Sequence, residues 1–344
     1  MPVFAHPEYR GHEGVYFAHD PAAGLKAIIA IHNTVRGPAV GGCRMWPYAS
    51  EDAAVTDALR LSRGMTYKSA LAALPFGGGK SVIIGNPARD KTPALLRAMG
   101  RAVDRLGGAY VIAEDVGTTV FDMDTVATTT RHVACTSAGS GNPSPYTALG
   151  VLSGIAAAVQ YKLNRNAGDL DGVRVAVQGL GQVGYALCRH LRQQGARLIV
   201  TDIAADRVAR AASEFDATPF APEAIYDAEA DVFAPCALGG ILDDRNIPRL
   251  KARIVAGAAN NQLAEDRHGA MLAARGILYA PDYAINAGGV IEIALAKEGD
   301  AAIRQRVEGI GATLLEIFGR ADAKHLPTQL VADRIAEDRF RRAA

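Results

Sequence analysis

The stretch Leu74–Ile84, "LPFGGGKSVII", sets a lysine directly after three consecutive glycines. Its tail, Gly79-Lys80-Ser81, resembles a phosphate-binding loop, but that motif reads G-x-x-x-x-G-K-[ST] and must open a helix. The first glycine would stand at Leu74, and Ser81-Val82-Ile83-Ile84 followed by Gly85-Asn86-Pro87 reads as a strand and a turn. Lys80 therefore needs another role. Lys68 precedes it near the end of a helical pattern, and Asp115 follows the strand-like "AYVIAED". Two amines and a carboxylate could therefore meet at strand ends, where open α/β sheets form a ligand crevice. Taken singly, Lys68 also suits a solvated helix face and Asp115 a loop cap. The glycines favour a shared site. They cost backbone entropy and imply that the chain passes very close to something, with a small substrate the expected neighbour.

A second stretch, "VRVAVQGLGQVGYALCRHL", gives a strand, then Gly179-x-Gly181-x-x-Gly184 enclosing Gln182 and Val183, then a helical pattern. A dinucleotide fingerprint also wants a carboxylate roughly 20 residues on, and "ARLIVTD" supplies Asp202. Gly179 would allow the tight turn, Gly181 the approach of a pyrophosphate, and Gly184 close packing of helix on strand. Asp202 would accept from the adenosine ribose; it equally suits the N-cap of "IAADRVARAA", and the two roles are compatible. Its charge repels a 2′-phosphate, and Ile203 and Ala204 follow where an arginine would be needed, so NAD is expected over NADP.

Strand and helix patterns alternate around these residues. Leu25–Ile31 reads as a strand, "SEDAAVTDALRLSRGMTYKSALAAL" as a helix capped by Ser50, then come a strand at 81–84, a helix at 93–106, a strand at 110–113 and a helix through "TTVFDMDTVATTT". The glycine and proline cluster "SAGSGNPSPYTALG" interrupts the series, and a helix at 148–161 leads into a second one: "VRVAVQG", "RLIVTD", "DVFAPC", "RIVAGAA", "GILYAPD". The expected architecture is two doubly wound α/β domains with a cleft between them, the second a Rossmann-type dinucleotide-binding domain. Residues 1–135 form the first, for substrate, catalysis and oligomerisation, with a C-terminal helix at 326–344 packing back on it; residues 136–325 form the second. In the 344 residues, 37 Lys and Arg balance 36 Asp and Glu, which gives no basis for a nucleic-acid or anionic-membrane partner. No apolar run approaches a membrane span, and the amino terminus lacks a signal-peptide pattern, so a cytoplasmic protein is expected. Cys43, Cys135, Cys188 and Cys236 are widely spaced, indicating neither a metal site nor a disulfide scaffold.

The segments "VGGCRMWPY", "LSRGMTYKSA", "FGGGKSVIIG", "AEDVGTT", "GNPSPYTALGV", "VQGLGQVGYALCRHL", "APCALGG", "GAANNQLAEDRHG" and "YAPDYAINAGGV" follow one another along nearly the whole chain. Together they resemble the glutamate/leucine/phenylalanine/valine dehydrogenase family, most of all its leucine members. The resemblance implies an NAD-dependent L-amino acid dehydrogenase. By resemblance, Lys68 binds the substrate α-carboxylate with help from Asn261, Lys80 is the general base that activates water, and Asp115 manages protons on the amine and carbinolamine. Thr147 matches a position near the nicotinamide, and Cys236, Ala237 and Asn260 match strand ends that meet the cofactor.

The resemblance also maps a side-chain pocket to Val40, Gly41, Ala113, Val290 and Ile293. None is charged, which argues against glutamate, whose second carboxylate would need a cation in the pocket. The aliphatic pattern implies leucine, valine or isoleucine. Val40 stands where leucine dehydrogenases carry Leu and Ile293 where they carry Val, so phenylalanine or tryptophan is the alternative substrate class. The segment before "GNPSP" is shorter than usual, and the chain ends soon after "RFRRAA", without the longer tail that helps relatives build large assemblies; a homo-oligomer, a dimer at least, is expected. A non-catalytic NAD-binding sensor would need the glycine fingerprint but not Lys68, Lys80 and Asp115 together. A phosphotransferase would need metal-binding carboxylates that the sequence does not offer.

Overall fold

The computed structural model describes residues 2–138 and 142–341, which divide into two compact units. The first runs to Asn142 and takes back the chain from Ala336; the second spans Pro143–Ile335. The division falls inside the glycine and proline cluster, later than 135/136, and the returning segment starts at Ala336 rather than at 326.

The first unit contains β1 (Gly14–Asp20), β2 (Leu25–Asn33), β3 (Ala39–Trp46), α1 (Glu51–Leu71), β4 (Gly77–Ile84), α2 (Pro93–Asp104), β5 (Tyr110–Glu114) and α3 (Val120–Ala127). Helices cover both faces of its sheet. Ala54, Val55, Ala58 and Leu59 of α1 pack on Ile28 and Val82, while Leu96, Met99, Met123 and Val126 of α2 and α3 meet Ile29, Ile31 and Ile83 on the opposite face. Burying one such Ile or Leu contributes about 2 kcal/mol. The strand order is β1-β2-β4-β3-β5, and the sheet is mixed, with β2 antiparallel to both β1 and β4. Only a short turn separates β1 from β2, too short for a parallel crossover; Asp20 accepts the Ala23 N–H at 3.2 Å there and Gly24 takes φ 72°.

Helix α1 starts where its sequence predicts. Ser50 accepts the Ala53 N–H at 3.1 Å, with Glu51 and Asp52 in the first turn. Its last carbonyls are met from the far end of the chain: Arg339 donates to the carbonyls of Ala70 (3.2 Å) and Leu71 (2.6 Å), and Phe340 packs on His32 and Tyr67. Strand β4 begins at Gly77 rather than at Ser81, and this corrects the reading of the glycine run. A Cβ at Gly77 would overlap the Asn33 carbonyl oxygen, one at Gly78 would overlap the Thr66 backbone nitrogen in α1, and one at Gly79 would lie 2.7 Å from the Tyr110 ring. The close neighbour is the protein itself, not a small substrate.

Under α1 lie two buried histidines, their rings 4.8 Å apart. His12 Nε2 lies 3.1 Å from the Leu59 carbonyl and 3.0 Å from Ser62 Oγ; His32 Nδ1 lies 2.8 Å from Thr66 Oγ1. Burial lowers their pKa values, to about 4 for His12 and about 3 for His32. Both fold neutral, so their contribution is complete above the ordinary value near 6.5 and is lost as pH falls toward the folded values. The urea midpoint should therefore drop between pH 6.5 and 4, with His12 alone accounting for roughly 3 kcal/mol. A midpoint flat across that range would show that the pair does not govern acid stability.

The second unit contains α4 (Ser144–Leu163), β6 (Arg174–Gln178), α5 (Gln182–Gln193), β7 (Arg197–Thr201), α6 (Ala205–Phe215), β8 (Thr218–Pro219), β9 (Val232–Pro235), β10 (Ile254–Val255), α7 (Arg267–Ala274), β11 (Leu278–Tyr279), α8 (Asp282–Ile285), α9 (Gly288–Leu295), α10 (Asp300–Glu308) and α11 (Ile310–Lys324). Helix α12 (Thr328–Arg341) begins in this unit and ends in the first. The sheet is parallel in the order β11-β10-β9-β6-β7-β8. Counted along the chain this is the 3-2-1-4-5-6 order of a Rossmann sheet, with its switch point where β6 adjoins β9. No helix among the described residues is long and apolar enough to cross a membrane.

Candidate functional site

Strand register decides which residues of the first unit share a face. Val40 pairs with Gly78, and Gly42 with Ala113; the two-residue period then puts Val40, Gly42, Lys80 and Ala113 on the α1 side of the sheet. Gly41 faces the other side, where a Cβ would overlap the Gly79 carbonyl oxygen; its own carbonyl accepts the Tyr110 hydroxyl at 2.6 Å. Its missing side chain serves the sheet. The glycine that leaves room over Lys80 is Gly42, where a Cβ would lie 3.3 Å from Lys80 Nζ and 2.7 Å from Asp115 Cβ.

Lys80 is buried and donates from Nζ to Asp115 Oδ2. The same oxygen accepts Arg44 Nε at 3.2 Å, and Arg44 Nη1 donates at 2.9 Å to Asp57, which also accepts the Tyr48 hydroxyl at 2.6 Å. Charges thus alternate from Lys80 through Asp115 and Arg44 to Asp57. Burial pushes the Lys80 amine below its ordinary value; Asp115 opposes this, and the Arg44 cation adds to it. Burial would raise Asp115, but Lys80 and Arg44 outweigh it and hold the carboxyl well below the usual range. Asp115 is therefore an anion at working pH. Arg44 and Asp57 were not singled out by sequence; the available signal was the alternation in "VGGCRMW", which puts an arginine on the face of Gly42. Lys68 lies half-buried in the last turn of α1, two residues beyond Thr66, whose backbone abuts Gly78.

In the second unit the three glycines of the turn behave differently from one another. Gly179 has φ 98°, and a Cβ there would meet Ala237 at 2.8 Å. At Gly184 a Cβ would overlap the Gly179 carbonyl oxygen and lie 3.2 Å from Cys236 Cβ. At Gly181, the N-cap of α5, a Cβ would meet no protein atom within 4 Å. Turn geometry and packing account for the outer two; the open space at Gly181 fits an approaching pyrophosphate at the α5 N-terminus, where Gln182 and Val183 open the helix. The residues present fit a dinucleotide. Asp202 follows β7 and accepts backbone N–H groups from Leu180 (2.6 Å) and Ala204 (2.9 Å), tying the glycine turn to the start of α6. No arginine stands at 203 or 204, but Arg207 comes within 3.9 Å of the carboxylate.

The later loops are held by residues that sequence reading passed over. Asn261 takes a left-handed φ of 51° and donates its N–H to Asp282 at 2.6 Å; the Asn286 amide donates to the Ala258 carbonyl and to Asn260 Oδ1. Thr147 sits in the first turns of α4, its Oγ1 2.9 Å from where a Gly289 Cβ would be. On α9, Val290 is buried and Ile293 half-buried.

Two family models match the chain: "Glu/Leu/Phe/Val dehydrogenase, dimerisation domain" over residues 12–132, and "Glutamate/Leucine/Phenylalanine/Valine dehydrogenase" over residues 200–308. A leucine dehydrogenase of Thermoactinomyces intermedius is 52% identical over 99% of this chain and 94% of its own length. A phenylalanine dehydrogenase of Caldalkalibacillus thermarum is 46% identical over 97% of this chain and 92% of its own. The crystal structure of L-tryptophan dehydrogenase from Nostoc punctiforme superposes with a TM-score of 0.81, at 48% identity and 97% coverage of both chains.

Proposed function

The chain belongs to the Glu/Leu/Phe/Val dehydrogenase family and is an amino acid dehydrogenase, and we propose that it oxidatively deaminates an aliphatic branched-chain L-amino acid with NAD. The amino acid, NAD and water give the 2-oxo acid, ammonium, NADH and a proton. The observation that carries this reading is Lys80, buried and paired with ionised Asp115 on a sheet face shared with Val40, Gly42 and Ala113.

NAD, when bound, accepts the hydride from the substrate Cα. Lys68 pairs with the α-carboxylate, assisted by Asn261. Burial favours the neutral amine at Lys80, which takes a proton from the water attacking the imine carbon; Asp115 then accepts and returns protons at the nitrogen. Gly179, Gly181, Gln182, Val183, Gly184 and Asp202 hold the dinucleotide, with Thr147 near the nicotinamide and Cys236, Ala237 and Asn260 at strand ends that meet the cofactor. The side chain of the substrate meets Val40 and Ala113 on the sheet face of Lys80. A homo-oligomer, a dimer at least, accompanies this reading, supported by the description of the model matched at 12–132.

The likeness to tryptophan and phenylalanine dehydrogenases at nearly the same identity supports a second reading, an aromatic substrate. NADH formation measured with leucine, valine, isoleucine, phenylalanine, tryptophan and glutamate separates the two. The aliphatic substrates should lead the aromatic ones by at least about tenfold in kcat/KM, since pocket differences of this size are worth about 1–3 kcal/mol. Preference for tryptophan or phenylalanine transfers the assignment to the aromatic class. No NADH from any of them overturns the reaction.

A further inference from the structure

Arg44 stands between two carboxylates and transfers no proton, since a guanidinium stays charged throughout the working pH range. Its Nε donates at 3.2 Å to Asp115 Oδ2, the oxygen that also accepts Lys80 Nζ, and its Nη1 donates at 2.9 Å to Asp57 Oδ2. Two cations therefore compete for one carboxylate oxygen. Asp57 projects from α1 and accepts the Tyr48 hydroxyl at 2.6 Å on the oxygen that binds Arg44, which fixes the far end of the guanidinium. The near end is fixed through the backbone: Thr118 Oγ1 accepts the Asp115 N–H at 3.0 Å and donates at 2.8 Å to the carbonyl of Cys43, the residue before Arg44. Side-chain exposure rises only from 6% at Lys80 to 15% at Asp115, 18% at Arg44 and 21% at Asp57, so bulk water screens these contacts weakly. A lysine at 44 would keep the charge but lacks the fork that spans both carboxylates.

We propose that Arg44 and Asp57 are positioning residues of the reaction: Arg44 shares Asp115 with Lys80, so that the amine is not locked in an exclusive ion pair, and Asp57 holds Arg44 in place and moderates its charge. The inference rests on the reading of Lys80 as the base. When Lys80 loses its proton, Asp115 loses a cation; Arg44 remains hydrogen-bonded to it, so the neutral amine does not leave a buried carboxylate unpaired. The two ends of the chain act on the amine with opposite sign. The Arg44 cation favours loss of the Lys80 proton, and the Asp57 carboxylate disfavours it. Among the other titratable groups of the surrounding elements, α1 brings Lys68, β2 His32, β3 Cys43, β5 Tyr110 and Glu114, and α3 Asp122. Burial keeps His32, Cys43 and Tyr110 neutral, and Asp122 pairs with Lys91. All of these are common to the wild type and to variants at 44 and 57, so a difference between those proteins reports Arg44 and Asp57.

The test is the pH dependence of kcat/KM for amino acid oxidation in the wild type, Asp57→Asn, Arg44→Gln and Arg44→Lys. Each profile is read relative to its own plateau, which removes losses common to all pH values. Asp57→Asn keeps the size of the side chain and an oxygen for Arg44 and Tyr48; its rising limb should move to lower pH, with relative kcat/KM on that limb raised about threefold. Arg44→Gln should move the limb the other way, with relative kcat/KM there lowered about tenfold. Arg44→Lys should return the limb toward its wild-type position without restoring the plateau, because one ammonium reaches only one of the two carboxylates. A limb that stays in place or moves to higher pH in Asp57→Asn overturns the proposal, as does an Arg44→Gln limb that does not move to higher pH. Should Arg44→Gln not fold, the direction of the Asp57→Asn shift decides. In each of these cases the loss of rate in Lys80→Ala still marks Lys80 as the base. Near wild-type turnover by Lys80→Ala overturns that reading and this inference with it.

Discussion

Lys80→Ala should lower kcat for amino acid oxidation by at least about a thousandfold, roughly 4 kcal/mol of barrier, while NADH still binds. The loss is large because the amine is the buried base of the proposed reaction and its partner cannot substitute. Asp115 is held as an anion by Lys80 and Arg44 and, in the proposed reaction, serves the substrate nitrogen rather than the attacking water. NADH binding should persist because the glycine turn and Asp202 belong to the second unit. Removing Lys80 also leaves Asp115 with Arg44 as its remaining cation among these contacts, and an incompletely paired buried charge destabilises. Lys80→Gln, which keeps a donor toward Asp115, separates the effects: it should recover stability without recovering rate. In the wild type the neutral amine is the active form, so kcat/KM for oxidation should rise with pH and level off below the ordinary lysine value of 10.5, as burial dictates. Lys80→Ala turning over at a near wild-type rate would remove Lys80 from the chemistry.

Sequence was most legible where local chemistry alone dictates the outcome. The fingerprint glycines each have a positional reason that needs only a strand, a turn and a helix, and the structure provides a positive φ at Gly179, packing at Gly184 and open space at Gly181. Ser50 caps α1 for the same kind of reason. Legibility failed where the deciding neighbour is distant along the chain. The glycines at 77–79 answer to Asn33, Thr66 and Tyr110, and a glycine run by itself does not distinguish a close backbone from a close ligand. The partition of Gly41 and Gly42 between the two sheet faces depends on register with β4 and β5, which no single strand encodes. Arg44 was passed over because its partner, Asp115, is joined to it by strand register across 71 residues of chain.

Gly78→Ala should destabilise the protein by about 4 kcal/mol or leave it unable to fold, an effect larger than ordinary overpacking of a core, which costs about 1–3 kcal/mol. An added methyl can usually be accommodated by rotating a side chain. Here the obstacle is backbone: a Cβ at Gly78 would overlap the nitrogen of Thr66 and lie 2.6 Å from its Cα. Relief requires α1 to lift from β4, which disturbs the contacts of Ala54, Ala58 and Leu59 with Val82 and the hydrogen bond between Thr66 and His32. The control lies on the same helix. At Gly64 a Cβ would meet nothing within 4 Å, so Gly64→Ala should stabilise α1 by about 1 kcal/mol through helix propensity alone. Denaturant unfolding of the two variants beside the wild type measures both effects. The sign difference is the decisive reading, because a glycine run kept open for a substrate would let Gly78→Ala fold normally and fail only in binding.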